Sequence, residues 1–214
     1  STRLPGKVLK EINGVSVLGH CIARCKRAAV GDVVVATSEH GEDDPIARYA
    51  ELAGARAFRG PLLDVVERFH LLAEACDSAA VVRISGDSPF IDPLVIRRAV
   101  EIRQSTPSDL VTNVLKRTFP KGQSVEILSR DTLRRLAQMR LSNFDKEHVT
   151  TCIYRDPSHY QISSFESGGD YGNIQLSVDT PDDLERAIRL DHEASGRVVS
   201  WQEMVDKWIV LHGE

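Results

Sequence analysis

The chain has 214 residues, of which 42% are hydrophobic and 27% are charged, a composition typical of one sizeable globular domain. Its net charge of −4 argues against a general nucleic-acid binder, because a phosphate backbone requires a basic protein face. No apolar run approaches the roughly 20 residues that cross a bilayer. Together with the lack of a signal-peptide pattern, this predicts a cytoplasmic protein without a membrane partner.

Helices and strands alternate through the first half of the chain. After an opening loop, apolar residues at helical spacing predict a helix over 16–30, and a β-branched run predicts a buried strand over 32–38. The same alternation continues with helix 43–54, strand 55–60, helix 62–76, strand 79–85 and helix 93–104. Short connections between alternating elements predict an α/β fold with a mostly parallel central sheet and helices on both faces.

After residue 108 the alternation changes. Strands over 109–115 and 124–129 flank the turn-like residues FPKGQ and predict a small antiparallel insertion at 108–128. The remaining predicted elements are helix 129–139 with Ser129 or Asp131 as its N-cap, a short helix 145–156, strand 160–165, buried strand 172–178, helix 179–194 and helix 200–214. Nothing in the pattern divides residues 1–214 into separate domains. The four cysteines lack the spacing of a zinc site, which predicts buried, reduced thiols.

Two aspartates stand where ligands bind in α/β sheets. Asp87 and Asp179 each follow a predicted buried strand, and each precedes a small hydroxyl residue and a proline. Two carboxylates outside the carboxyl ends of strands can hold a divalent ion between substrate phosphates. Each Asp could instead cap the following helix. The repetition of the pattern at two strand ends favours the metal-binding interpretation.

The opening segment STRLPGK also has two interpretations. As a loop before the first helix, it offers the hydroxyls of Ser1 and Thr2, the cations Arg3 and Lys7, and the open backbone of Gly6 to an anion. As a solvated basic terminus, it would bind nothing. It is not a P-loop, because no glycine lies five residues before Gly6.

Several segments, in chain order, carry a family resemblance: STRLPGKVL, VVVATSEHGEDDPIA, FRG, DVVERF, VRISGDSPFIDP, EHVT and LSVDTPDDLE. With these segments the chain resembles the cytidylyltransferases of the spore coat polysaccharide type, a family similar to CMP-Kdo synthetase and the acylneuraminate cytidylyltransferases. The resemblance extends over essentially the whole chain. It implies a Rossmann-like nucleotidyltransferase fold, CTP as donor, Mg²⁺ as cofactor, an acidic or related sugar as acceptor, and a homodimer.

The resemblance also implies roles for individual residues. The catalytic residues are Lys7, Arg3 and Asp87, and the metal ligands are Asp87 and Asp179. The nucleotide-binding residues are Ser1, Thr2, Arg3, Lys7, Arg59 and Arg83. The acceptor-binding residues are Gln123, Glu126 and His148. For His148, which begins as a possible base or phosphate ligand, a structural role at a helix start is the alternative.

The chain departs from the family pattern in two places. In the family the opening loop follows a strand and an arginine that meets phosphate, so the sequence is expected to start within the motif. Members of this type also read GLDVE where this chain has Gln123 and Ser124 in GQSVE, which suggests a different acceptor.

The expected reaction is transfer of CMP from CTP to a sugar, with release of pyrophosphate, in the synthesis of a surface polysaccharide or glycan precursor. Two alternatives remain open on the sequence. One is a non-catalytic member that binds a nucleotide or sugar within a glycan assembly system. The other is a glycosyltransferase that uses a nucleotide sugar.

Overall fold

The computed structural model describes residues 3–213, so the predicted nucleotide contacts Ser1 and Thr2 lie outside the described residues. The strands are β1 (Glu11–Ile12), β2 (Val15–Ser16), β3 (Val34–Ser38), β4 (Arg56–Gly60), β5 (Ala80–Arg83), β6 (Leu110–Thr112), β7 (Glu126–Ser129) and β8 (Ile162–Ser164). The α-helices are α1 (Val17–Ala28), α2 (Asp44–Leu52), α3 (Val65–Ala75), α4 (Pro93–Ser105), α5 (Arg130–Gln138), α6 (Asn143–His148), α7 (Thr151–Arg155), α8 (Pro181–Glu193) and α9 (Trp201–His212). Single 3₁₀ turns lie at Lys7–Leu9, Gly41–Asp43 and Pro157–His159.

Two sheets form the centre of the α/β fold. Strands β3 and β4 pair in parallel, and a four-stranded sheet has the order β5-β7-β6-β8. In the second sheet, β6 and β8 are parallel, whereas β7 runs antiparallel to both of its neighbours. An apolar cavity of about 190 Å³ lies between β3 and β5. The α/β class is confirmed, with a more mixed sheet than the sequence predicts.

The segment 108–128, predicted as a small antiparallel insertion, belongs to the central sheet. It contains β6 and leads into β7, which are the two inner strands of the four-stranded sheet. These strands are antiparallel to each other, as expected, because the loop between them contains no crossover helix that could return the chain in parallel.

Two predicted elements differ from the structure. The segment 172–178 forms no strand and makes a single bridge, between Lys121 and Gln175. Its last amide, that of Val178, donates to the carbonyl oxygen of Asp87 at 2.9 Å instead of continuing a ladder. The predicted helix 145–156 is divided into α6 and α7 by Val149, whose φ of +60° is incompatible with an α-helix.

Helices cover both faces of the four-stranded sheet, as predicted. On one face, Val111 and Ile127 pack with side chains of α1, α4 and α9. On the other face, Leu110 and Leu128 pack with side chains of α3, α5 and α7. Each fully buried aliphatic side chain of these cores stabilises the fold by about 1.5–3 kcal/mol. Within the described part of the chain, no helix combines the length and apolar character needed to cross a membrane.

Candidate active site

A short structured loop carries Lys7 to the site. Leu4 is buried in a core cluster with Phe90 and Val178, which anchors the start of the loop. Gly6, at φ +65°, then reverses the chain into the turn Lys7–Leu9, a conformation that other residues rarely adopt. The described part of the opening segment is therefore packed against the protein and directs the Lys7 side chain inward.

Lys7 lies between two carboxylates that are distant in sequence. Its Nζ donates to Oδ2 of Asp87 at 2.5 Å and to Oδ1 of Asp179 at 2.8 Å. Only 13% of the Lys7 side chain is exposed. Burial lowers the pKa of Lys7, but hydrogen bonds and charge interactions with Asp179 and Asp87 raise this pKa by more than burial lowers it. The net shift is therefore upward from 10.5. Lys7 therefore remains charged at neutral pH.

Neither aspartate serves as a helix cap. Asp92 caps α4, accepting from the amide of Leu94 at 2.8 Å. Thr180 caps α8 in a capping box with Asp183. The alternative interpretation of Asp87 and Asp179 is therefore wrong, and their carboxylates are turned to Lys7 instead.

Backbone contacts hold the two aspartate loops together. The Val178 amide bonds to the carbonyl oxygen of Asp87. The segment before Asp179 is fixed on Lys121, whose amide and carbonyl bond to the backbones of Ile174 and Leu176, each at 2.9 Å. Asp179 itself donates its amide to Oδ2 of Asp183 at 3.0 Å.

These two carboxylates suit a divalent cation. The Lys7 ammonium group shows that a single cation can contact both of them. Within residues 3–213 no cluster of three or more His, Cys, Asp or Glu side chains could complete a coordination sphere. Mg²⁺ commonly takes one or two carboxylates and fills its remaining positions with water and substrate phosphate, so the donor set fits a metal that binds together with a phosphorylated substrate.

Two predicted arginines differ in position. Arg3 joins the cluster, because its Nη2 lies 3.2 Å from Oδ1 of Asp179 while 66% of its side chain is exposed. Arg59 does not. It donates to the carbonyl oxygens of Ser38 and His40 and to Asp44 Oδ1, and so fixes the loop between β3 and α2.

Arg83 pairs with Glu126 rather than with the Lys7 cluster. Arg83 Nη1 donates to Oε2 of Glu126, which is buried at the start of β7. Two residues that the sequence analysis does not identify complete this group. Thr150 and Tyr154 both donate to Oε1 of Glu126, at 2.7 and 2.5 Å. The signal for them is the position of Thr150 in the EHVT segment and the spacing of four that puts Tyr154 on the same helix face.

The side chains of the other two predicted acceptor ligands have other partners than Glu126. Gln123 is fully buried, and its amide bonds to the backbone of Phe90 at 2.6 Å and of Asp92 at 2.9 Å. A side chain used in this way is a structural tie and presents nothing to a ligand. His148 is exposed, and its ring packs edge-on against Phe144 with a centroid distance of 4.3 Å.

Comparison with known proteins shows the family of the chain. Residues 1–205 match the protein family described as Cytidylyltransferase. The spore coat polysaccharide biosynthesis protein SpsF of Bacillus subtilis (strain 168) is 30% identical over 96% of this chain and 88% of its own length.

Two solved structures share the fold. A cytidylyltransferase from Leptospira borgpetersenii serovar Hardjo-bovis (strain JB197) has a TM-score of 0.93 at 25% identity, over 96% of this chain and 88% of that one. A CMP:2-keto-3-deoxy-manno-octonic acid synthetase solved with CTP has a TM-score of 0.70 at 18% identity, over 91% of this chain and 95% of that one. By its sequence match, the chain belongs to the cytidylyltransferase family of nucleotidyltransferases.

Proposed function

We propose that the protein transfers CMP from CTP to an acidic or related sugar and releases pyrophosphate. The observation that carries the proposal is the contact of Lys7, in the opening loop, with both Asp87 and Asp179. Membership of the cytidylyltransferase family supports CTP as the donor. SpsF, named for polysaccharide biosynthesis, supports a sugar as the acceptor in precursor synthesis.

Asp87 and Asp179 would hold the metal, which we propose to be Mg²⁺. When bound, the ion supplies positive charge to the phosphates and lowers the pKa of a bound hydroxyl. The exposed guanidinium of Arg3 and the charged Lys7 lie beside the same carboxylates and neutralise the triphosphate.

In the reaction, an acceptor hydroxyl oxygen attacks the α-phosphorus in line. The new oxygen–phosphorus bond forms as the bond to pyrophosphate breaks, and the hydroxyl proton leaves to water. Such transfers depend on positioning and charge neutralisation more than on covalent participation by the protein. Arg3 and Lys7 stabilise the negative charge that collects on the departing pyrophosphate.

Thermal unfolding with nucleotides tests the proposal. CTP with Mg²⁺ should raise the melting temperature, because a ligand at about a hundredfold excess over its Kd stabilises a protein by about 2.7 kcal/mol. UTP, ATP and GTP should give smaller shifts, and EDTA should reduce the CTP effect. Equal shifts with all four nucleotides, or none, would contradict CTP as donor. Stabilisation by a nucleotide sugar without pyrophosphate release from CTP would instead indicate a glycosyltransferase.

We also propose a homodimer. We assign the contact between the two chains to helix α9, which carries the exposed apolar side chains of Val210 and Leu211 on its last turns. Light scattering should give twice the 23.7 kDa mass of one chain. A monomer mass across the micromolar range would contradict the dimer.

A further inference from the structure

The face of the sheet that packs on α3, α5 and α7 becomes polar at one end. Along this face, Val81, Leu128 and Leu110 are directly opposite one another in register and lie in one apolar cluster. Two residues further on, the matching positions are Arg83, Glu126 and Thr112. Side chains that are opposite in register project from the same face. This polar row ends β5, and Asp87 follows four residues later.

Glu126 is the centre of the row. Its side chain is only 5% exposed, and a buried carboxylate is stable only when it is paired and hydrogen-bonded. Tyr154 and Thr150 hold Oε1, and Arg83 holds Oε2. Burial and the neighbouring Glu126 raise the pKa of Tyr154 well above its usual value, which keeps its hydroxyl a donor.

A strained turn presents Thr150 to Glu126. Val149 adopts φ +60° and ψ −57°, and the amide of Thr150 donates to the carbonyl oxygen of His148 at 2.7 Å, which closes a three-residue γ-turn. This conformation is rare, most of all for a β-branched residue, and such strain persists only where surrounding contacts impose it.

Asp145 imposes the turn. Its carboxylate accepts hydrogen bonds from Ser142, Thr151 and Arg155, on both sides of Val149. The fold thus maintains a strained backbone that brings Thr150 and Tyr154 to Glu126.

The outcome of this arrangement is an oriented guanidinium group. Arg83 donates to Glu126 through its Nη1. Its Nε and Nη2 are not buried without a partner, and 27% of the Arg83 side chain is exposed. These two nitrogens are therefore the donors that a ligand can reach. A guanidinium with accessible donors in a fixed plane suits a carboxylate, which it can bind through two hydrogen bonds.

We propose that Arg83 binds the carboxylate of the acceptor sugar, and that Glu126, with Thr150 and Tyr154, positions it. This inference rests on the proposed function. It assigns Arg83 to the acceptor instead of the nucleotide, because Arg83 pairs with Glu126 and is not part of the ion-pair cluster around Lys7 that we assign to the triphosphate. The cations of that cluster are Arg3 and Lys7, which both contact Asp179.

The experiment measures CTP-dependent pyrophosphate release with 2-keto sugar acids and with their methyl esters, which keep the hydroxyls but lose the charge. The variants are Arg83→Gln, Arg83→Lys and Glu126→Gln. Arg130→Gln is the matched control, because Arg130 pairs with Asp77 at the other end of β5 and has a similarly exposed side chain, 22% against 27%. Isothermal titration with CTP and Mg²⁺ is run on each protein.

Arg83→Gln should lower the preference for acid over ester at least about tenfold, the effect of losing a charge-assisted hydrogen bond. Arg83→Lys should lose part of it. Glu126→Gln should raise KM for the acid more than it lowers kcat, which loss of folding alone would not do. CTP affinity and the Arg130→Gln protein should be unchanged.

Other results separate this inference from the proposed function. A wild-type protein that does not bind CTP contradicts the proposed function. Binding of CTP without use or binding of any acid in the panel overturns the assignment of Arg83 alone. The assignment is also overturned if Arg83→Gln lowers the affinity for CTP and leaves the preference for acid over ester unchanged.

Discussion

At the scale of single residues, the site depends on charge balance around Lys7. Asp87 and Asp179 both contact its Nζ. Two partly buried carboxylates this close repel each other as soon as the ammonium group is removed. A divalent cation can supply the missing charge, so the stability of a Lys7 variant reports on metal binding without any need for turnover.

We predict that Lys7→Met lowers the free energy of unfolding by about 1–3 kcal/mol in EDTA, as expected when hydrogen-bonded charges lose a partner. Adding Mg²⁺ should restore most of this loss. Urea unfolding with and without Mg²⁺ measures both values, with the exposed Lys10→Met as the control. Equal losses in EDTA and in Mg²⁺ would show that the aspartates bind no metal.

The same variant has a defined pH dependence. Because the pKa of Lys7 is raised in the folded protein, its stabilising contribution is complete below 10.5 and is lost as the pH rises through the higher folded value. The difference between wild type and Lys7→Met in EDTA should therefore be constant near neutral pH and shrink only at strongly alkaline pH.

The charged members of the site could be predicted from the sequence because they lie in recognisable segments: the opening loop, GDSP around Asp87 and VDTP around Asp179. Lys7, Asp87 and Asp179 are brought together as those segments imply. Gln123 could not be placed in this way. Its burial depends on the backbone of Phe90 and Asp92, contacts that local sequence does not reveal.

At the scale of elements, two turns decide the geometry of the site: one at Val149 and one at Gly122, against residues 176–177. The turn at Val149 divides α6 from α7, although the sequence predicts one helix, because the Asp145 carboxylate accepts from Ser142 before the break and from Thr151 and Arg155 after it. The segment 172–178 reads as a strand, but its hydrogen bonds go to Lys121 and Asp87. At Val149 the side-chain hydrogen bonds of Asp145 override the helical pattern, and at 172–178 distant backbone partners override the strand pattern.

Gly122 gives the second turn its close approach to the segment before Asp179. Its φ is +94°, and a Cβ there would lie 2.8 Å from the backbone nitrogen of Ser177 and 2.9 Å from the carbonyl carbon of Leu176. Only glycine fits this position, because the atoms that a Cβ would meet belong to the backbone. They cannot move away without shifting the chain segment that leads to Asp179.

We predict that Gly122→Ala destabilises the protein by about 2–4 kcal/mol, through backbone strain and the forced shift of residues 176–178. Gly168→Ala is the matched control. Its φ is similar, +91°, but no atom lies within 4 Å of its added Cβ, so it should lose only about 1 kcal/mol. Urea unfolding measures both variants. Equal losses would mean that the contact with residues 176–177 is unimportant.

At the scale of the whole molecule, the site joins parts of the chain that are far apart. The Lys7 contacts bridge 80 residues to Asp87 and 172 residues to Asp179. The α/β class and helices on both faces follow from the alternating pattern, which is local. The inner position of antiparallel β7 does not follow from it, because the order of strands in a sheet is set by long-range pairing.

The most direct test of the central claim is pyrophosphate release from CTP by the wild-type protein and by Asp87→Asn, with Mg²⁺ and the sugar acids. Asparagine keeps the size of the side chain and removes its charge. We predict that the wild-type protein releases pyrophosphate and that folded Asp87→Asn does so at least about a hundredfold more slowly. Near-normal release by Asp87→Asn would contradict the assignment of this carboxylate and, with it, the proposed site.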